Sequence, residues 1–236
     1  MTGPACIDAR SPNHDARPPG GGVDLLVLHY TGMPTGAAAL DRLRDPAARV
    51  SAHYLVEEDG RVFRLVPEDR RAWHAGVSSW RGRGDVNGRS IGVEIVNPGH
   101  EFGYRPFPAP QMDAVEALCR DIVARYGLGP GDVVGHADVA PTRKEDPGEL
   151  FDWPRLARAG VGVWPAAAGG DGPAPDAAAA LAMLAAIGYD VSDPVAATIA
   201  FQRRFRPEGF DGRLDSETRT RIRAVRDLLI PGPSSP

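Results

Sequence analysis

The chain has 236 residues, 42% hydrophobic and 25% charged, with 27 Lys plus Arg against 31 Asp plus Glu, a formal net charge of −4. That is an ordinary globular mix, which excludes a disordered or fibrous chain, and the slight acidity leaves no broad basic field for nucleic acid or an anionic membrane surface. No stretch approaches the roughly 18 apolar residues of a membrane-spanning helix, and the two cysteines, Cys6 and Cys119, allow at most one disulfide.

Residues 1–22 are rich in Pro, Gly and polar side chains without apolar periodicity, so a loose N-terminal arm is expected there. The run VDLLVLHY at 23–30 reads as a strand buried on both faces, with His29 at its polar end. Ser51 to Val66 alternates on either side of Glu58-Asp59-Gly60, the signature of a hairpin whose turn tolerates positive φ. SIGVEIVN at 90–97 is a further strand, in which Glu94 shares a face with Gly92 and Val96.

From Pro110 to Tyr126, Val115, Leu118, Cys119, Ile122 and Val123 recur at helical spacing, and Gly127 follows as a cap. Strands followed by helices predict an α/β fold, a mixed central sheet flanked by helices, over residues 23–164. The composition then shifts to an Ala, Gly and Pro linker at 165–175. Residues 176–236 carry three helical segments, Asp176 to Ile187, Pro194 to Phe205 and Ser216 to Leu229, which predict a small three-helix domain with a marginal core.

Of six histidines, His29 and His136 stand out because each ends a short apolar run, where a rigid sheet can aim ligands into a shared pocket. The segment GHADVAPTRKEDPGELF at 135–151 adds a lysine and several acids in a loop constrained by Pro141 and Pro147. Two imidazoles and one carboxylate form a zinc site with an open position, and His29, His136 and one of Asp138, Glu145 or Asp146 supply that set. Glu94, in an otherwise apolar strand, is costly to bury unless paired or used.

Residues 26–153 resemble the zinc-dependent N-acetylmuramoyl-L-alanine amidase family, related to peptidoglycan recognition proteins and amidase-type phage lysozyme. The blocks that carry the resemblance are LVLHYTG at 26–32, SAHYLVEEDGRVFRLV at 51–66, AWHAGVSSWRGRGDVNGRSIGVEIVNPG at 72–99 and GHADVAPTRKEDPGELFDW at 135–153. It implies that His29, His136 and Asp146 bind Zn2+ and that Glu94 and Lys144 are catalytic. It also implies a substrate groove containing Trp73, His74, Arg81 and Asn97, with His53 outside the ligand set. Asp138 and Glu145 are then solvated or structural.

Residues 181–225 are similar to the small three-helix peptidoglycan-binding domain, through AFQRRF at 200–205 and FDGRLDSET at 210–218, where Asp215 or Ser216 caps the last helix. The resemblance implies hydrolysis of the amide between muramic acid, or its 1,6-anhydro form, and L-alanine of a peptidoglycan or muropeptide substrate. The alternatives are a non-catalytic peptidoglycan recognition protein and a zinc hydrolase of another amide. The start MTGPACIDARSPNHDARPPGGG shows no apolar core of an export signal, so the cytoplasm is expected, whereas a wall-binding tail points to the periplasm or cell envelope.

Overall fold

A computed structural model of the chain describes residues 4–165 and 173–230. Most of the linker expected at 165–175 lies outside the described residues. The strands are β1 (Cys6–Asp8), β2 (His14–Ala16), β3 (Leu25–Tyr30), β4 (Tyr54–Val56), β5 (Val62–Arg64), β6 (Arg70–Ala72), β7 (Ser90–Ile95) and β8 (Val133–Gly135). The helices are α1 (Gly36–Arg44), α2 (Gly99–Phe102), α3 (Ala109–Tyr126), α4 (His136–Val139), α5 (Trp153–Arg158), α6 (Ala177–Ile187), α7 (Pro194–Phe205) and α8 (Ser216–Leu229).

Six strands form one mixed sheet in the order β1-β5-β4-β7-β3-β8, while β2 and β6 make a separate antiparallel ribbon. Only the β4–β5 hairpin is antiparallel within the large sheet. The turn expected at Glu58-Asp59-Gly60 is present, and Gly60 adopts φ 87°, which its missing Cβ permits.

The continuous apolar sequence of β3 follows from burial on both faces. Leu26 and Leu28 pack with Ile91, Val93, Val115, Leu118 and Cys119, under α3. Burial raises the pKa of the Cys119 thiol to about 12, so it behaves as a small core side chain, as expected. Helix α3 ends on Gly127 at φ 63°. Leu25 and Val27 face the other way and pack with Val134, Leu184, Phe201 and Phe205.

That second cluster changes the view of the C-terminal segment. All three expected helices are present, and Asp215 rather than Ser216 caps α8, accepting from the Thr218 N–H at 2.8 Å. Their apolar faces, however, do not form a separate core. They continue the core of the sheet, with Trp80 lying edge-on to Tyr189 at 5.1 Å and donating its indole N–H to the Gly131 carbonyl. The marginal core of the helices gains burial from the second face of β3 and β8.

The N-terminal arm also departs from expectation. It is tied down along its described length: β1 pairs parallel with β5, Ser11 Oγ donates to the Leu43 carbonyl, and Asn13 Nδ2 donates to the carbonyls of Asp45 and Val50. Arg17 donates to the carbonyls of Gly88 and Ser90. The arm is held by polar side chains meeting backbone groups, which leaves no periodic pattern in the sequence. No described helix is long and apolar enough to cross a membrane.

Because the sheet and the C-terminal helices share one core, the chain should unfold in a single transition in urea. Phe201→Ala, which empties a fully buried position, should lower stability by about 3–5 kcal/mol without splitting that transition. Two separate transitions by circular dichroism would contradict the shared core.

Candidate active site

Three neighbouring parallel strands, β7, β3 and the edge strand β8, set the site. In register, His29 of β3 faces Glu94 of β7, and Leu28 faces Gly135 of β8, so that His136 follows immediately at the start of α4. Alternation along β3 puts His29 on the same face as Leu25 and Val27, beyond the part covered by the C-terminal helices. The carboxyl ends of these strands open into a cavity of about 580 Å³ lined by His29, Glu94, His136, Lys144 and Asp146. Open α/β sheets place their ligand crevice at this end.

Asp146 reaches the same point from the following loop. The loop is joined to the histidine segment by the bond from the Ala137 N–H to the Asp146 carbonyl at 2.9 Å. Gly135 lies where a Cβ would meet Pro147 Cδ at 2.8 Å, so the two segments pack backbone to side chain. His29 Nδ1 and His136 Nδ1 are 2.9 Å apart, and each is 3.1 Å from Asp146 Oδ2. All three residues are buried.

The protons on the rings can be traced from fixed acceptors. His136 Nε2 stands 3.1 Å from the Ala75 carbonyl, which can only accept, so Nε2 carries a proton and, in the neutral ring, Nδ1 is the nitrogen left to bind a cation. Ser90 Oγ donates to the Val86 carbonyl and therefore accepts from His74 Nε2 at 3.2 Å. His74 Nδ1 then accepts from His29 Nε2 at 3.0 Å, which leaves His29 Nδ1 bare as well. Burial, reinforced by the neighbouring His136, lowers the His29 pKa to about 4, so the ring is neutral near pH 7.

With both rings neutral, two ring nitrogens and a carboxylate oxygen converge with no proton between them. Three such lone pairs repel one another unless a cation sits among them. A tetrahedral ion bound at ~2.0 Å spaces its ligands by ~3.3 Å, close to the triangle found here. The donor set therefore fits a metal ion, and the outer bonds of both imidazoles hold the tautomers that binding needs.

Glu94 lies beside this triangle. Burial, with the negative charge of Asp146 added, raises its carboxyl pKa well above the ordinary range, and Lys144 opposes the rise. Its Oε2 is buried and has no hydrogen-bond partner among the described residues. Lys144 is exposed on the cavity wall.

The other expected residues divide. Trp73 lines the cavity, half-buried, with Arg49 over its ring at 5.8 Å. His74 also lines it, but both ring nitrogens are engaged in the chain from His29 to Ser90, so its part is support rather than substrate contact. Asn97 is fully buried away from the cavity, with Nδ2 donating to the Arg105 carbonyl and Oδ1 accepting from the Gly99 N–H. Arg81 also lies outside the cavity walls and pairs with Asp132 at 2.7 Å.

His53 stays outside the triangle, accepting from the Gly92 N–H and donating to the Arg70 carbonyl. Asp138 proves structural and buried, while Glu145 is half-exposed and accepts from the Tyr30 hydroxyl. Sequence reasoning missed two cavity residues of note. Arg42 of α1 and Arg203 of α7 both line it, the latter brought there only by the docking of the C-terminal helices.

This fold and site agree with what comparison shows. The family described as N-acetylmuramoyl-L-alanine amidase matches residues 19–149. The N-acetylmuramoyl-L-alanine amidase AmiD of Escherichia coli (strain K12) is 40% identical over 234 residues, covering 88% of this chain and 82% of AmiD. The 1,6-anhydro-N-acetylmuramyl-L-alanine amidase AmpD of Salmonella typhimurium (strain SL1344) is 37% identical, covering 64% of this chain and 89% of AmpD.

Among solved structures, E. coli AmiD in complex with its substrate anhydro-N-acetylmuramic acid-L-Ala-D-γ-Glu-L-Lys aligns with TM-score 0.79 and 38% identity, covering 90% of this chain and 91% of that one. AmpDh3 of Pseudomonas aeruginosa, in complex with an anhydromuramic pentapeptide, aligns with TM-score 0.78 and 35% identity, covering 88% and 92%. The chain belongs to the N-acetylmuramoyl-L-alanine amidase family.

Gly92 gives a direct test of the proton chain. A Cβ there would stand 2.5 Å from Cγ of His74, so Gly92→Ala must displace that ring. Metal affinity, measured by competition with a chelator, should fall by about 10-fold or more while the far-UV spectrum is retained. Unchanged affinity would show that His74 does not orient His29.

Proposed function

We propose that this amidase is a zinc hydrolase that cleaves the bond between the lactyl group of N-acetylmuramic acid, or its 1,6-anhydro form, and L-alanine of the stem peptide. The observation that carries the reading is the triangle of bare His29 Nδ1, His136 Nδ1 and Asp146 Oδ2, with Glu94 in register beside it. Zinc suits a site of two imidazoles and one carboxylate, and when bound it supplies Lewis acidity toward the scissile carbonyl and toward water.

The chain's own groups do the rest. Glu94, ionised, takes a proton from the attacking water, and its raised pKa suits it to keep that proton until the amine departs. Lys144, on the exposed wall, places its ammonium toward the oxygen on which negative charge develops. Trp73 offers an aromatic face to the sugar or stem. The presence of all five residues, His29, His136, Asp146, Glu94 and Lys144, in one cavity favours catalysis over recognition alone.

The names of the relatives support a muropeptide as substrate and, with it, a place in cell-wall turnover or recycling. We propose that the C-terminal helices act as a peptidoglycan-binding-like unit.

Zinc-loaded protein given an equal mixture of muramoyl-tetrapeptide and its 1,6-anhydro form should release free peptide beginning with L-alanine, detected by mass spectrometry. Use of the anhydro form alone fits recycling, and use of both fits broader wall turnover. No release from either would overturn the substrate assignment. Glu94→Ala should keep zinc by elemental analysis yet lose about 100-fold or more in kcat. A near-normal kcat would remove Glu94 from the proton-transfer role.

A further inference from the structure

The ligand His136 sits at a junction between a short strand and a single turn of helix, neither of which is rigid alone. The strand β8 has three residues and α4 has four. Asp138, in the first turn of α4, accepts from the Gly135 N–H at 2.8 Å and so closes that turn around His136. Asp138 is 2% exposed, and a carboxylate at that depth needs partners of its own.

Both partners come from the C-terminal segment, one from α7 and one from the connection between α6 and α7. Arg204 of α7, 6% exposed, donates Nη1 to Asp138 Oδ2 at 2.6 Å, and Tyr189 donates its hydroxyl to Asp138 Oδ1 at 2.6 Å. Arg204 also donates Nη2 to the Val133 carbonyl at 3.1 Å, and its guanidinium lies 3.9 Å from the centre of the Trp153 ring. One side chain thus grips the strand before His136 and the helix after it.

We infer that Arg204 is a positioning residue for the metal ligand His136, and that the C-terminal helices are a working part of the metal site rather than an appendage. The inference rests on the zinc reading above. Removing the guanidinium leaves Asp138 buried without its cation, and α4 must rearrange to rehydrate it. His136 moves with α4, since it is that helix's first residue. Tyr189 supplies the smaller share, a neutral hydroxyl to the same carboxylate.

The test is zinc affinity of the full-length protein by chelator competition, with stability followed separately in urea. Arg204→Met should weaken zinc binding by about 10- to 100-fold in protein that is still folded, and Tyr189→Phe by several-fold. Turnover of both should recover at saturating zinc. Arg206→Ala is the control: it breaks pairs with Asp215 and Glu217 inside the helical segment, and should lower stability without changing zinc affinity.

If Arg204→Met and Tyr189→Phe keep zinc affinity within about twofold, the positioning role is wrong. If Arg206→Ala weakens zinc as much as they do, the effect is general loosening and the inference also fails. If the unaltered chain takes up no zinc, the metal reading itself falls, and the inference with it.

Discussion

Everything at the active site depends on the parallel register of β7, β3 and β8. Hydrogen bonding along these strands fixes which residues stand side by side at their carboxyl ends, and a one-residue slip of β3 would turn His29 toward α3 and away from Glu94. The register is held by apolar side chains on both faces, so the interactions that stabilise the sheet also aim His29 and Glu94 into the cavity. Polar residues appear where the strands run out, and nowhere earlier along β3. Burial then sets their chemistry, keeping the His29 ring neutral and pushing the Glu94 carboxyl upward.

The second organising feature is a layer of buried polar contacts behind the donors. His136 is fixed by the Ala75 carbonyl, and His29 is fixed through His74 and Ser90 to the Val86 carbonyl. Gly92 leaves the space that the His74 ring occupies. Arg143 donates to the same Ala75 carbonyl, which joins the lysine-bearing loop to the segment carrying Trp73 and His74. The histidines are thus held by the strand ends and by the loop that carries Arg143.

Much of the fold was legible in the sequence because its elements are periodic and capped. β3 and β7 are apolar runs, α3 repeats at helical spacing up to Gly127, and the C-terminal helices begin at Asp176, Asp193 and Asp215, all of which cap. The arm at β1 and β2 was not legible, since hydrogen bonds from Ser11, Asn13 and Arg17 to backbone leave no pattern to read. Nor was the union of the C-terminal helices with the sheet, because an amphipathic stripe says that a helix has a partner without saying which. At the site, the histidines were marked by their place at strand ends, whereas the choice of Asp146 over Asp138 needed the family likeness. Asn97 and Arg81 lie in blocks that match the family, yet their side chains turn away from the cavity into local bonds, a direction that spacing does not encode.

The donor triangle contains nitrogen and oxygen only, and the thiol nearest the sheet core, Cys119, is sealed from solvent. A site built with a thiolate ligand would be vulnerable to peroxides and to disulfide exchange, which convert the ligand itself. Imidazole and carboxylate undergo neither reaction under such conditions. Such a donor set is therefore indifferent to redox poise.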